Sequence, residues 1–334
     1  MQRQIGREAA VLLRGPKCAV IADANTAALY GSSVVETLCK AGFAAALITI
    51  PAGETSKSLE QAGAVCDQMT AVGLDRTSFV VAVGGGVVGD LAGFAAAIYH
   101  RGIPHVQIPT TLLAQVDSSI GGKTAVNTAA GKNLLGAIHQ PALVVADVET
   151  LGTLPAREFN QGMAEVIKHA IIADAALFGL IEKLDRAALA ELVRRNVEIK
   201  AAVVAQDERD ETGTRAVLNF GHTVGHGIER AGDYRGFLHG EAISLGIVAA
   251  CEVSVRKAGM PEADRDKVIA TLRACDLPVA LPEDISRAEI LAALRADKKF
   301  EHGAVRFVVS GGLGSAYLSE DVTLDDIARA IDLL

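Results

Sequence analysis

Short apolar runs alternate with longer helix-forming stretches through the first 150 residues, and few folds accept that pattern. Residues 18–22, 44–50, 79–83 and 105–108 are too short for buried helices and read as strands. Residues 26–41, 58–72 and about 88–98, between them, carry helical patterns. Parallel strands are covered by helices on both faces, so their residues stay apolar throughout. This alternation therefore predicts an α/β fold with a doubly wound, mostly parallel sheet. After Leu154-Pro155 long amphipathic segments take over, at 158–173, 175–184, 187–205, 222–230, 241–258, 264–275 and 287–296. The next strand-like run is 305–309. The expected organisation is an α/β domain over 1–152 and a mainly α-helical domain over 153–334.

Composition narrows the function classes. At 334 residues there is room for about two domains. Apolar residues at 50% exclude a disordered chain. The 32 basic residues against 40 acidic ones leave a net charge of −8 with no polybasic block, which argues against nucleic acid as a partner. Aromatic residues are 4% and Trp is absent, so a base-stacking platform is not expected either. No apolar run reaches the roughly 18–20 residues that a membrane-spanning helix needs. The opening Met1-Gln2-Arg3-Gln4-Ile5 has no apolar signal core. Cys18, Cys39, Cys66, Cys251 and Cys275 are odd in number and lack CxxC spacing, as expected for idle thiols in a reducing cytoplasm.

The third strand runs into Gly84-Gly85-Gly86-Val87-Val88-Gly89-Asp90. Glycines at 84, 86 and 89 fit G-x-G-x-x-G, a turn that lets backbone amides and a helix N-terminus approach a pyrophosphate. Ligands of open parallel sheets bind beyond the strand C-terminal ends. Asp23-Ala24-Asn25, Glu54-Thr55-Ser56-Lys57 and Pro109-Thr110-Thr111 all follow strands. A carboxylate after the second strand suits ribose hydroxyls, hence NAD rather than NADP. Residues 115–133 are too polar and glycine-rich for a core segment. Gly121-Gly122-Lys123-Thr124 superficially resembles a P-loop, but Asp117 stands where that motif requires glycine. Lys123 and Lys132, flanked by glycines, suit an anionic small substrate instead.

A polar constellation follows on predicted helices. Glu165 and Lys168 share a helix face, His222 and His226 are four apart, and His239-Gly240-Glu241 lies close downstream. Imidazoles with a carboxylate suit a catalytic zinc that keeps one position open. The candidate ligands are Glu165, His169, His222, His226, His239 and Glu241. Spacing alone does not choose among them.

These residues lie in longer matching segments: PTTLLAQVDSSIGGKTAVN at 109–127, GKNLLGAIHQP at 131–141, TLPAREF at 153–159, GMAEVIKH at 162–169, LNFGHTVGHGIE at 218–229 and HGEAIS at 239–244. In this order they resemble the 3-dehydroquinate synthases, of the sugar phosphate cyclases, from about residue 18 onward. The resemblance implies a dehydroquinate synthase-like fold in which Glu165, His222 and His239 hold Zn²⁺, with Co²⁺ as a substitute. It implies NAD contacts at Asp23, Asn25, Glu54, Lys57, Gly85, Gly86, Val87, Val88, Gly89, Asp90, Thr110, Thr111, Lys132 and the turn Thr150, Leu151, Gly152, Thr153. It places the substrate, 3-deoxy-D-arabino-heptulosonate 7-phosphate, against Arg101, Asp117, Lys123, Asn133, Lys168, Lys200, Arg215, Asn219 and Lys298 or Lys299. Glu211 and His226 match positions with proton-transfer roles, and Lys123 and Asp117 count among the catalytic set. The arginine matching Arg101 reaches a neighbouring subunit in the family, which implies a homodimer.

Three departures stand out. The family's opening β-hairpin is abbreviated here. Residues 207–211 are one longer than usual, so Lys200 and Glu211 depend on where the gap falls. Gln161 replaces a common Asn near the cofactor. The implied reaction oxidises a ring hydroxyl transiently with NAD, eliminates phosphate, returns the hydride and closes a carbocycle by an intramolecular aldol step, yielding 3-dehydroquinate within the shikimate pathway. Two rival enzymes are a sister cyclase of the 2-deoxy-scyllo-inosose or valiolone synthase type, and a metal-dependent alcohol or glycerol dehydrogenase. A non-catalytic binding module would leave the 115–133 segment without a purpose.

Overall fold

The computed structural model describes residues 4–232, 236–283, 285–295 and 305–334. The chain divides into two compact units, residues 1–154 and 155–334. The first contains α1 (Ile5–Leu12), β1 (Lys17–Asp23), α2 (Ala24–Thr26), α3 (Ser32–Lys40), β2 (Ala44–Ile50), α4 (Leu59–Ala71), β3 (Phe79–Gly84), α5 (Gly86–Ile98), β4 (His105–Pro109), β5 (Lys123–Thr128), β6 (Gly131–Ile138) and β7 (Leu143–Val144). Five of these strands form one sheet in the order β2-β1-β3-β4-β7, every neighbouring pair parallel.

Side-chain alternation along β1 and β3 supplies two cores. Ala19, Ile21, Val80 and Ala82 face one way and pack with Val65 and Met69 of α4 and Val88, Leu91 and Ala95 of α5. Cys18, Val20, Ala22, Val81 and Val83 face the other way, against Ile5 and Ala9 of α1 and Val34 and Leu38 of α3. Helices thus cover both faces of the sheet, the expected doubly wound arrangement. The five cysteines are free; burial pushes the Cys18 thiol up to about 12.

Two local expectations are corrected, and one segment gains a structure that the sequence left open. The single helix expected over 26–41 is three pieces. Asp23 caps a start at Ala24 by accepting from the Thr26 N–H (2.8 Å), and a π turn at Ala27–Gly31 separates α2 from α3. The chain opens with a helix, α1, and no strand precedes Lys17 among the described residues, so no abbreviated hairpin is seen there. The polar segment at 115–133 contains structure: β5 and β6 pair as an antiparallel hairpin.

The second unit is mostly helical: α6 (Ala156–Ile172), α7 (Leu177–Lys183), α8 (Arg186–Gln206), α9 (His222–Ala231), α10 (His239–Lys257), α11 (Glu262–Ala274) and α12 (Arg287–Arg295). The antiparallel pair β8 (Val305–Gly312) and β9 (Ser315–Val322) and a last helix, α13 (Leu324–Ile331), complete it. The strand expected at 305–309 is half of that hairpin. α6 and α10 carry the longest buried runs, Gln161–Ile172 without a break in α6. No described helix is long and apolar enough to cross a membrane.

One buried group generates a pH prediction. His105, at the start of β4, is fully buried, stacks on His139 with ring centroids 4.9 Å apart, and has no hydrogen-bond partner on either ring nitrogen. Burial, with His139 beside it, pushes its pKa from 6.5 down to about 3. Below pH 6.5 the unfolded chain takes up a proton here that the folded chain refuses. Stability therefore falls as pH drops toward about 3, by at most ~1.4 kcal/mol per pH unit from this group. In urea unfolding between pH 7 and pH 4, His105→Leu should lose less stability than the parent chain. Equal losses would show that His105 plays no part.

Candidate active site

Glu165, His222 and His239 lie on three helices, yet each offers a donor atom within 4.8 Å of the others. His222 Nε2 is 3.4 Å and His239 Nε2 is 3.6 Å from Glu165 Oε1. A tetrahedral zinc with bonds of about 2.0–2.2 Å holds neighbouring donors roughly 3.3–3.6 Å apart, so this set fits the ion. The other carboxylate oxygen of Glu165 is ion-paired with Lys168, leaving Oε1 as its metal-facing atom. His222 Nδ1 is 3.2 Å from the Phe220 carbonyl, which favours the tautomer with Nε2 as the free donor.

Glycine contacts bring these helices together. A Cβ at Gly240, beside His239, would lie 1.9 Å from the Gln161 carbonyl of α6. One at Gly246 would lie 2.0 Å from the carbonyl of Gly221, the residue before His222. Gly221 itself has φ of +78°, a conformation that admits glycine readily. The α6, α9 and α10 backbones can therefore approach to distances that side chains would prevent.

The electrostatics favour a cation. Glu165 is fully buried, which opposes its charge; Lys168 and His222 outweigh that and hold its carboxyl well below the usual carboxylate range. Partial burial opposes charge on His239, but the carboxylates of Glu165 and Glu229, 3.6 and 3.5 Å from its ring nitrogens, hold its imidazole up at about 10. Among the other candidates, Glu241 is occupied differently. Glu241 receives Arg157 through two bonds of 2.6 and 2.7 Å and accepts from the Leu238 N–H, closing the first turn of α10. His169 Nδ1 is 2.8 Å from Asn196 Oδ1 of α8, and its imidazole also has a ring nitrogen within 4.8 Å of a Glu165 oxygen. His226 stays beside the triad, its ring centroid 5.4 Å from His222 and 6.2 Å from His239.

In the first unit, the glycine turn opens α5 at its N-terminus. Gly85 caps that helix without a side chain, so the first-turn amides at Gly86, Val87 and Val88 remain available to an anion. Gly89 allows α5 to sit on β4: a Cβ there would meet Gln107 Oε1 at 2.7 Å. Lys57 Nζ binds Asp90 Oδ2 and Asn133 Oδ1, each at 2.5 Å. Asn127 Nδ2 donates to Glu54 Oε1 (2.7 Å), and its Oδ1 accepts from the Asn133 N–H (3.0 Å). The Glu54–Lys57 turn is thereby tied to the β5–β6 hairpin, and Asn133 holds a left-handed backbone with φ of +57°. Gln115 Nε2 lies 3.1 Å from the Pro109 carbonyl and 3.1 Å from Thr150 Oγ1, joining the Thr110-Thr111 loop to the Thr150–Thr153 turn. Tyr30 hydrogen-bonds Thr153. Asp23, at the end of β1, is engaged in capping α2, with Asn25 exposed next to it.

The remaining expected residues distribute as follows. Lys123 is exposed and opens β5 rather than a helix, unlike a P-loop lysine. Asp117 lies in a π turn, and Lys132 is half-buried on β6. Arg101 is exposed on a backbone with φ of +69°, next to His100 at +49°. Lys168, Lys200 and Arg215 are buried cationic side chains, and Asn219 ends a 3₁₀ turn one residue before Phe220. Glu211 is exposed, its N–H bonded to Asp207 Oδ1. Lys298 and Lys299 lie outside the described residues. Sequence reasoning missed Gln115, Asn127 and Glu229. Glu229 alone had a legible signal, since His222, His226 and Glu229 occupy i, i+4 and i+7 of one helix, where a core stripe would be apolar.

Comparison with known proteins places this geometry. The 3-dehydroquinate synthase N-terminal model matches residues 47–161, and the 3-dehydroquinate synthase C-terminal model matches 162–300. Among solved structures, the 2-epi-5-epi-valiolone synthase of Streptomyces hygroscopicus subsp. jinggangensis 5008, with NAD⁺ and Zn²⁺ bound, is 31% identical. Its TM-score is 0.87 over 95% of this chain and 90% of that one. A 2-deoxy-scyllo-inosose synthase complexed with carbaglucose-6-phosphate, NAD⁺ and Co²⁺ is 27% identical, with a TM-score of 0.88 over 99% and 94%. The fold is thus one shared with sugar phosphate cyclases. A 3-dehydroquinate synthase of Symbiobacterium thermophilum is 49% identical over 94% of this chain and 90% of its own length. The chain belongs to the 3-dehydroquinate synthase family.

The glycine contacts predict a coupled defect. Gly246→Ala would drive α9 and α10 apart, costing roughly 1–3 kcal/mol of stability as overpacking does and weakening zinc binding. Gly179→Ala, in α7 with open space around it, serves as the control and should do neither. Urea unfolding and zinc titration compare them; matching behaviour of the two variants would refute the packing argument.

Proposed function

We propose that this chain is a 3-dehydroquinate synthase, a phosphate-eliminating lyase that converts 3-deoxy-D-arabino-heptulosonate 7-phosphate to 3-dehydroquinate and phosphate. The observation that carries the reading is the convergence of His222 and His239 on the buried Glu165 in a chain of this family, with donor spacing that suits zinc. Glu165 Oε1, His222 Nε2 and His239 Nε2 would hold the ion, which supplies a Lewis acid for a substrate hydroxyl when bound. NAD⁺ supplies a temporary hydride acceptor and is regenerated.

The chain's own residues have distinct duties. The amide-rich start of α5 takes a pyrophosphate, and Glu54 and Asp90 face ribose hydroxyls. Gln115 and Tyr30 hold the Thr150–Thr153 turn in place for the cofactor. In the first unit, Lys123, Lys132 and Asn133 meet the substrate. In the second, Lys168, Lys200 and Arg215 offer positive charge to its phosphate and carboxylate and to enolate charge that develops during elimination and aldol closure. His226, beside the donor triad, holds or relays a proton at a ring nitrogen. Arg101, presented on its left-handed turn, suits a contact with a second copy, so a homodimer in the cytoplasm is part of the reading.

The direct test incubates the purified chain with substrate, NAD⁺ and Zn²⁺. Phosphate and 3-dehydroquinate should form together with no net NADH. Accumulating NADH without phosphate would make it a dehydrogenase; a different carbocycle from another sugar phosphate would make it a sister cyclase. His222→Ala should abolish both bound zinc and turnover, and zinc retained at full stoichiometry would remove His222 from the ligand set. Lys123→Ala should slow phosphate release while NAD⁺ affinity stays nearly unchanged. A loss confined to NAD⁺ binding would move Lys123 to the cofactor.

A further inference from the structure

The two ring nitrogens of His239 face different carboxylates. Nε2 is 3.6 Å from Glu165 Oε1, and Nδ1 is 3.5 Å from Glu229 Oε1. We infer that Glu229 is a positioning residue for the metal site, fixing the ring and tautomer of His239 so that Nε2 is its donor atom. This rests on the ligand set proposed above.

The physical argument starts from the imidazole. A neutral ring coordinates a metal through one nitrogen and carries its proton on the other. Whatever accepts that proton decides which nitrogen is the ligand and where the ring plane points. Glu229 is a buried carboxylate, 6% exposed, in a helix otherwise packed by Val224 and Ile228. A buried carboxylate is costly unless a specific partner offsets it. The Nδ1–H of His239 is such a partner. His222 has its counterpart in the Phe220 carbonyl at 3.2 Å. Each imidazole of the set is therefore backed by an oxygen on its far side, one from the main chain and one from a side chain.

The α9 register makes this possible. Glu229 lies two turns after His222, on the same face, so the helix that supplies one imidazole also supplies the carboxylate behind the other. The tight α9–α10 contact at Gly221, Gly225 and Gly246 holds that face against the start of α10. A rival arrangement is built from the same atoms: His226, Glu229 and His239 also offer donors within 4.8 Å of one another, which would make Glu229 a ligand itself.

Zinc affinity of the full-length metal-free chain, measured by competition with a chromophoric chelator, separates these. Glu229→Gln and Glu229→Ala should both still bind one zinc per chain, with the dissociation constant raised by about 10- to 100-fold, the usual effect of losing a carboxylate behind a histidine ligand. The visible spectrum of the Co²⁺-loaded variants should shift as the His239 ring reorients, while metal-free unfolding midpoints and NAD⁺ affinity of Glu229→Gln stay close to the parent. An unchanged zinc constant and an unchanged Co²⁺ spectrum would overturn the inference. So would complete loss of zinc from Glu229→Gln alongside retention by Glu165→Gln, which would identify Glu229 as a ligand. Failure of the underlying ligand set reads differently: Glu165→Gln and His222→Ala would then bind zinc as the parent does. Should Glu229→Ala not fold, the near-isosteric Gln variant carries the measurement.

Discussion

A buried negative charge organises the second half of this molecule. Glu165 sits in α6 with no exposure to solvent, and removing a lone carboxylate from water costs several kcal/mol. Lys168, one turn along the same helix, neutralises one oxygen, and two imidazoles from other helices surround the other. That compensation works only where three backbones run close together. Glycines at 221, 240 and 246 permit it, each standing where a single methyl group would strike the backbone of a neighbouring segment. The convergence of this donor set is thus a consequence of backbone packing before it is a matter of side-chain identity.

The first unit has a polar network of its own, in which the buried Lys57 ammonium is compensated by Asp90 and Asn133. The turn after β2 and the hairpin of β5 and β6 are separate in sequence, yet Asn127, Asn133, Lys57 and Asp90 join them through short polar contacts, reinforced by the Asn127 N–H on the Lys57 carbonyl at 2.8 Å. Residues that the family resemblance divides between cofactor and substrate are therefore mechanically linked in this chain. Whatever occupies the Glu54–Lys57 turn acts on the same network that holds Asn133 in its left-handed conformation.

Much of this was readable in advance, and the exceptions have identifiable reasons. Four of the five strands of the parallel sheet announced themselves as short, largely apolar runs, whereas β7, two residues long, left no such run. Nor did β6: most of Gly131–Ile138 is exposed, so it shows neither an apolar run nor a clean alternation. The interruption at Ala27–Gly31 was hidden because a π turn uses the same helix-forming residues as its flanks. At the site, Glu241 had the same standing in sequence as the residues that meet, and its partner, Arg157, lies 84 residues away.

Sequence alone determined the local matters: where strands and helices form, where glycine opens a turn before α5, and which residue types are available for metal, phosphate and nucleotide. Hydrophobic periodicity and backbone permissiveness act over a few residues, so they are written where they operate. Tertiary structure decided which of six candidate ligands converge, which oxygen of Glu165 is left for a cation, and what stands behind each imidazole. Those outcomes depend on the separation and rotation of helices far apart along the chain, quantities set by close packing between surfaces and therefore absent from any one segment.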